Sequence, residues 1–116
     1  MTRPRDDGRG VDVGLVELAG GVRSPAAEDG DGVDLTALVA PELVLVVADA
    51  GLGTINSVRL IVDALASRPG ADAPTVVHLN RFDAGVEVHR RNRDWLVDRC
   101  GYRVTTDLDA LADALA

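Results

Sequence analysis

The run Leu43–Ala48 constrains the fold of this chain more than any other feature of its sequence. All six residues are apolar, with no alternation of polar side chains. Such a run is typical of a strand that is covered on both faces, as in a parallel sheet. A helical pattern follows it, with Val58, Ile61, Val62 and Leu65 on one face. The sequence therefore favours an α/β domain with a parallel sheet, flanking helices and right-handed crossovers.

Shorter patterns predict the elements around this strand. The other predicted strands are Val11–Glu17, Thr75–Leu79 and Tyr102–Val104. A short helix is predicted over Asp34–Val39, with Asp31 or Asp34 as its cap. A later helix is predicted to turn Val88, Trp95 and Leu96 inward. The last predicted helix begins with a capping box at Thr106 and Asp109. Its apolar stripe consists of Leu108, Leu111, Ala112 and Leu115.

The organisation of the chain is that of one domain with a polar beginning. Residues 1–10 hold Pro, Gly, Arg and Asp without apolar periodicity, and we expect them to be a flexible lead-in. Residues 11–116 are expected to form the α/β domain. Gly20–Val33 is rich in glycine and acids and predicts a loop long enough to be a functional segment.

Composition excludes several classes of function. The net charge of −7 at pH 7 opposes a polyanion, and one Phe, one Trp and one Tyr make no stacking platform, so we expect no nucleic-acid partner. No apolar run approaches the roughly 18 residues that span a bilayer, and no secretory h-region opens the chain. We therefore expect a cytoplasmic protein without a membrane partner. The single cysteine excludes an internal disulfide.

All twelve basic residues are arginines, and the 116 residues contain no lysine. A Schiff-base enzyme needs a lysine amine, and the phosphate-binding loop of P-loop proteins needs a lysine ammonium. Neither kind of site can be complete within this sequence.

Two predicted strand ends carry groups suited to anion or metal chemistry. Glu17 could hold Mg²⁺ through one carboxylate together with waters and substrate oxygens, although the pattern by itself favours a solvated strand-end acid. Gly20 and Gly21 could let backbone N–H groups approach an anion, or form a structural turn. Asn80 could read the edge of a heterocycle, or simply end a strand.

The segment Gly51–Asn56 lies between the clearest strand and the clearest helix. Backbone N–H groups at the beginning of a helix carry partial positive charge and can bind a carboxylate or a phosphate. A tight strand-to-helix turn that uses its glycines for backbone reasons is the alternative.

Taken together, Val16–Pro25, Leu45–Asn56 and Val76–Asn80 resemble the C-terminal half of the dethiobiotin synthetase family. The resemblance implies a P-loop NTPase-like α/β fold and a homodimer. It also implies the Mg²⁺- and ATP-dependent closure of a cyclic urea from a small-molecule substrate, 7,8-diaminononanoate, and carbon dioxide, a step of biotin biosynthesis.

The resemblance also implies roles for individual residues. Glu17 would bind magnesium, Gly20 and Gly21 would line the substrate and phosphate side, and Asn80 would read adenine. The substrate carboxylate would be bound by the backbone N–H groups of one turn, which in the family comes from the neighbouring subunit. This turn consists of Gly51, Leu52, Gly53, Thr54, Ile55 and Asn56.

This sequence departs from the family pattern at Leu18, where the family has glycine, and in lacking the half with the phosphate-binding loop. Phosphoryl transfer depends on such positioning and charge neutralisation. We therefore expect the chain alone to be inactive and to need an N-terminal half in trans. A degenerate, non-catalytic binding module on the same scaffold is the alternative.

Overall fold

The structure, a computed structural model, describes residues 12–116, so the lead-in predicted over residues 1–10 lies outside the described residues. The elements are β1 (Pro25–Ala27), β2 (Gly30–Asp31), α1 (Gly32–Val39), β3 (Val44–Asp49), α2 (Thr54–Ala66), β4 (Thr75–Asn80), α3 (Glu87–Asp98), β5 (Arg103–Thr105) and α4 (Leu108–Leu115). They divide into two compact units, one of residues 12–41 and 64–72, the other of residues 42–63 and 73–116.

The second unit contains a three-stranded parallel sheet in the order β3-β4-β5. Val46 pairs with Val77, which in turn pairs with Val104. Helix α2 connects β3 to β4, and α3 connects β4 to β5, as parallel neighbours require. The prediction of an α/β fold with a parallel sheet and flanking helices is confirmed.

One face of this sheet forms the core of the unit together with both connecting helices. The buried cluster comprises Val46, Ala50, Val58, Val77, Leu79 and Leu96. Val58 comes from α2 and Leu96 from α3, so both helices pack on the same face of the sheet. The predicted inward face of α2 is confirmed, since Val58 and Leu65 are buried.

The opposite face of the sheet is covered only in part. Val76 and His78 of β4 are buried there, and Nδ1 of His78 lies 2.8 Å from Oγ1 of the buried Thr105. Leu45 and Val47 of β3 lie on the same face, yet Val47 is 59% exposed. The expectation that this strand is covered on both faces is wrong for the described residues, because they leave this face of β3 open at Val47. The strand is also at the edge of their sheet.

The first unit holds a two-stranded antiparallel pair, β1 and β2, followed by α1. Oδ1 of Asp31 accepts hydrogen bonds from the N–H groups of Val33 and Asp34, which makes Asp31 the N-cap of α1. Arg68 forms an ion pair with Asp34 within this unit. The loop predicted over Gly20–Val33 therefore contains two short strands and the beginning of a helix.

The strand predicted over Val11–Glu17 is wrong where the structure describes it, since residues 13–18 are neither helix nor strand. Leu15 is 89% exposed, and Val13 and Val16 are exposed as well. A strand exists through backbone hydrogen bonds to a neighbour, and no other described residue offers them to this segment.

Two helix details also differ from the sequence prediction. Trp95 is 43% exposed and lies against the Arg99 guanidinium, because Asn92 and Leu96 occupy the buried side of α3. The cap of α4 is Asp107 rather than Thr106, and in place of the predicted stripe Ala114 is the buried residue of this helix. None of the helices within residues 12–116 has the length and apolar character needed to cross a bilayer.

Candidate functional site

The turn between β3 and α2 lies at the carboxyl end of the parallel sheet, where ligands of α/β folds bind. The N–H of Thr54 donates to the carbonyl of Gly51 at 3.3 Å, and that of Ser57 to the carbonyl of Gly53 at 3.2 Å. Gly53 has a φ of 92°, a left-handed conformation that only glycine adopts without strain. A side chain at this position would therefore strain the backbone of the turn.

Several backbone donors of this segment have no hydrogen-bond partner among residues 12–116. No described residue accepts a hydrogen bond from the N–H of Leu52, Gly53, Ile55 or Asn56. These groups surround the beginning of a 13-residue helix, where the helix dipole adds partial positive charge. These N–H groups therefore remain unpaired within the described residues, and the binding of an anion by Gly51–Asn56 stays a prediction.

An open pocket of about 470 Å³ lies beside these donors. Leu52, Gly53, Ile55 and Asn56 line it from the turn and the first turn of α2, and Leu52 is itself 94% exposed. Arg59 and Asp63 line it from the next turns of the same helix. The space can take a small molecule, and its lining offers both a cation and a carboxylate.

Arg59 and Asp63 both act on the hydroxyl of Tyr102. The pKa of Tyr102 is raised, first by burial and then by the charges of Cys100 and Asp63, while Arg59 opposes this effect. Arg59 is the basic residue among those that line the pocket. Its guanidinium can reinforce the backbone donors toward an anionic ligand.

The hydroxyl of Thr54 is a buried polar group without a hydrogen bond to any described residue. Buried polar atoms are normally paired, so an orphaned hydroxyl at the first residue of α2 is unusual. It lies in the segment that the sequence singled out.

Asn80 ends the neighbouring strand, directly opposite Asp49 in the parallel register. Its backbone carbonyl accepts from the N–H of Ala50 at 3.3 Å, which ties the end of β4 to the beginning of the turn. The side chain of Asn80 is exposed. The structure therefore brings Asn80 and the turn Gly51–Asn56 to the carboxyl end of the same sheet.

Glu17, Gly20 and Gly21 belong to the first unit. Glu17 is exposed, and both glycines have positive φ angles, with the carbonyl of Gly20 accepting from the Ser24 hydroxyl at 2.6 Å. Leu18 is half-buried and comes close to Gly32 at the beginning of α1. Its isobutyl group is therefore accommodated by packing within this unit.

Sequence reasoning missed Asn92, a buried residue of α3. Its Nδ2 donates to the carbonyl oxygens of Ala50 and Gly51, at 2.9 and 2.8 Å. A signal was present, because Asn92 lies midway between Val88 and Leu96 in a helical stripe where an apolar residue is expected. A polar residue at such a position requires a buried partner.

The residues present do not make a complete site for magnesium and ATP. Among residues 12–116 no group of three or more His, Cys, Asp or Glu side chains converges on one point. Glu17 offers one carboxylate, which can hold Mg²⁺ only with waters and phosphate oxygens supplied by a nucleotide. No phosphoryl-transfer step is assigned to these residues.

Comparison with known proteins identifies two similar sequences. The ATP-dependent dethiobiotin synthetase of Brachyspira hyodysenteriae is 32% identical over 93 residues, which cover 78% of this chain and 41% of the relative. The ATP-dependent dethiobiotin synthetase of Haloferax mediterranei is 36% identical over 93 residues, covering 80% of this chain and 39% of the relative. No family model matches, and no solved structure matches significantly.

The chain thus spans about two-fifths of the length of the curated relatives it matches. The resemblance to dethiobiotin synthetases over most of the chain is confirmed. The parallel sheet with flanking helices agrees with the P-loop NTPase-like fold that this relationship implies.

Proposed function

We propose that this chain is the substrate-binding part of an ATP-dependent dethiobiotin synthetase, which closes a cyclic urea from 7,8-diaminononanoate and carbon dioxide. The sequence relationship to two dethiobiotin synthetases supports the reaction class. The observation that carries the proposal is the open pocket at the beginning of α2, where unpaired backbone N–H groups and Arg59 can take the carboxylate.

The recognition of the substrate divides between two kinds of group. The N–H groups of Leu52, Gly53, Ile55 and Asn56 bind the carboxylate, and Arg59 adds the charge. Asp63, on the same wall, disfavours a second anion and suits a substrate whose other end carries amines. In the assembled enzyme this turn serves the active site of the neighbouring subunit of a homodimer.

Glu17 and Asn80 complete the proposal on the nucleotide side. Glu17 contributes one carboxylate to magnesium, Gly20 and Gly21 border the phosphates, and Asn80 hydrogen-bonds adenine. Bound ATP and magnesium would supply the activation of the carbamate. The lysine that neutralises the phosphates comes from polypeptide outside these 116 residues.

The edge strand β3 suits the docking of that polypeptide. Leu45 and Val47 leave an apolar surface beside the unpaired edge of β3 in the described sheet. Exposed apolar edges of this kind pair readily with another strand. A parallel strand placed there ends next to Asp49 and the turn, so a phosphate-binding loop that follows it lies beside the substrate site.

Titration of the ¹⁵N-labelled full chain with 7,8-diaminononanoate tests substrate binding without the other half. We expect chemical-shift changes at the amides of Leu52, Gly53, Ile55 and Asn56. Nonane-2,3-diamine, which has the amines but a methyl group in place of the carboxylate, is the matched ligand control and should leave these amides unchanged.

Two arginine variants make the test specific. Arg59→Gln should weaken binding of 7,8-diaminononanoate, whereas Arg91→Gln, on the exposed side of α3, should not. Equal shifts with both ligands, or no shifts at millimolar 7,8-diaminononanoate, would show that this turn does not bind the carboxylate.

A further inference from the structure

We infer that Asn92 is a positioning residue that sets the direction of the backbone donors in the turn Gly51–Gly53. Asn92 lies in α3, 41 residues after Gly51, and its side chain is 7% exposed. Its single amide group donates to two successive carbonyl oxygens, those of Ala50 and Gly51. The inference rests on the proposed function only for the identity of the ligand.

Because the peptide bond is planar, these two hydrogen bonds also fix the direction of the N–H groups that follow the two carbonyls. In a trans peptide unit the carbonyl of one residue and the N–H of the next point in opposite directions, and the described residues contain no cis peptide bond. Drawing the carbonyls of Ala50 and Gly51 toward Asn92 therefore directs the N–H groups of Gly51 and Leu52 away from it. No described residue accepts from either N–H, so both are free for an anion.

The same two carbonyls would otherwise weaken an anion site. A carbonyl oxygen that faces a bound carboxylate repels it, and a turn with unrestrained peptide planes presents either end. The backbone N–H of Thr54 also donates to the carbonyl of Gly51, through a longer hydrogen bond of 3.3 Å. The carbonyl of Ala50 accepts only from Asn92 among the described residues. Asn92 thus disfavours the peptide flip that would turn these oxygens outward.

The composition of α3 fits this role better than a packing role. Asn92 stands between Val88 and Leu96 on the inward side of the helix, where an apolar side chain would serve packing alone. Burial of a primary amide is unfavourable unless its hydrogen bonds are made. Here both N–H groups of the amide are spent on the turn rather than on α3 itself.

Asn92→Asp in the full chain is the decisive variant, with sulfate as the anion probe and ¹⁵N chemical shifts of Gly51 and Leu52 as the readout. An ionised carboxylate has nearly the shape of the amide but no donor, so sulfate should bind about tenfold more weakly or worse at pH 7. When that carboxyl is protonated it donates one hydrogen bond again. Binding should therefore recover in part as the pH falls, while sulfate stays ionised.

Asn92→Leu removes the hydrogen-bond donor without adding the negative charge that Asn92→Asp introduces. It should lose sulfate binding at every pH, and a residue that merely fills space would instead leave binding intact in this variant. Should either variant fail to fold, scalar couplings across the hydrogen bonds from Nδ2 of Asn92 to the carbonyl carbons of Ala50 and Gly51 test the arrangement in the unaltered chain.

The inference is overturned if Asn92→Leu binds sulfate as the unaltered chain does, if Asn92→Asp shows no recovery at low pH, if the couplings are absent, or if the unaltered chain binds no sulfate at this turn. Sulfate binding that depends on Asn92, without binding of 7,8-diaminononanoate, would support this inference and contradict the proposed substrate. The two failures are therefore distinguishable.

Discussion

Asp31 and Asp34 cap the first turn of α1 reciprocally. Oδ1 of Asp31 accepts from the N–H of Asp34 at 3.1 Å, and Oδ2 of Asp34 accepts from the N–H of Asp31 at 3.0 Å. The hydrogen bond from the Asp34 backbone lowers the pKa of the Asp31 carboxyl, burial opposes this effect, and the ion pair with Arg23 at 3.2 Å adds to it. The cap is therefore a charge-dependent feature of the first unit.

Acidification should release this cap. Because the folded pKa is lowered, the stabilisation is present above the unfolded value of about 3.9 and is lost as the pH falls through the folded value. Thermal melts of the unaltered chain and of Asp31→Asn, which caps without titrating, isolate the effect. The melting temperature of the unaltered chain should fall relative to Asp31→Asn as the pH decreases below about 4. Parallel pH profiles would contradict this assignment.

Gly32 at the beginning of α1 has no room for a side chain. A Cβ there would lie 2.9 Å from both the Cα and the carbonyl oxygen of Val22. Because backbone atoms must move to relieve this contact, Gly32→Ala should destabilise the chain by about 1–3 kcal/mol in urea unfolding. Gly14→Ala is the control, since a Cβ at that position meets nothing within 4 Å. Equal stabilities of the two variants would contradict the packing described for the first unit.

The contact between His78 and Thr105 should be a measurable part of the second unit's stability. Both residues are buried, and the hydroxyl of Thr105 is the hydrogen-bond partner of Nδ1 of His78. Thr105→Val leaves that nitrogen unpaired and should cost about 1–3 kcal/mol, whereas Thr105→Ser keeps the hydroxyl and should cost less. The free energies of unfolding of the two variants give the comparison, and a valine variant as stable as the serine one would be inconsistent with it.

Thr54 should behave in the opposite way to an ordinary buried threonine. Its hydroxyl has no partner in the described residues, so Thr54→Val should leave the free energy of unfolding unchanged or raise it. Thr36 is the matched control because its hydroxyl donates to the carbonyl of Gly32 at 2.7 Å, and Thr36→Val should lose about 0.5–1.5 kcal/mol. A marked loss at Thr54 would mean that its hydroxyl is satisfied after all.

The sequence predicted the second unit well because its signals are local and strong. The apolar run at β3 and the helical stripe of α2 are both patterns within a short stretch of sequence. The strand is found one residue later than the predicted Leu43–Ala48, and α2 contains all four residues of its predicted stripe. The strand expected over Val11–Glu17 failed because strand formation needs a neighbour that periodicity does not provide. Asn92 was missed for a related reason, since its partners lie 41 and 42 residues away in the chain.

Formation of dethiobiotin tests the account most directly. The full chain is mixed with a separately expressed N-terminal half of a dethiobiotin synthetase, chosen to contain a phosphate-binding loop, together with 7,8-diaminononanoate, bicarbonate and Mg-ATP. Val47→Lys, at the exposed edge of β3, should block assembly, and Val97→Lys, on the exposed side of α3, should not.

The account predicts dethiobiotin by mass spectrometry from the mixture, none from either half alone, and none with Val47→Lys. Absence of product from every mixture, while the intact synthetase makes dethiobiotin in parallel, would contradict it. If the chain still binds the carboxylate in that case, the non-catalytic binding module becomes the better description.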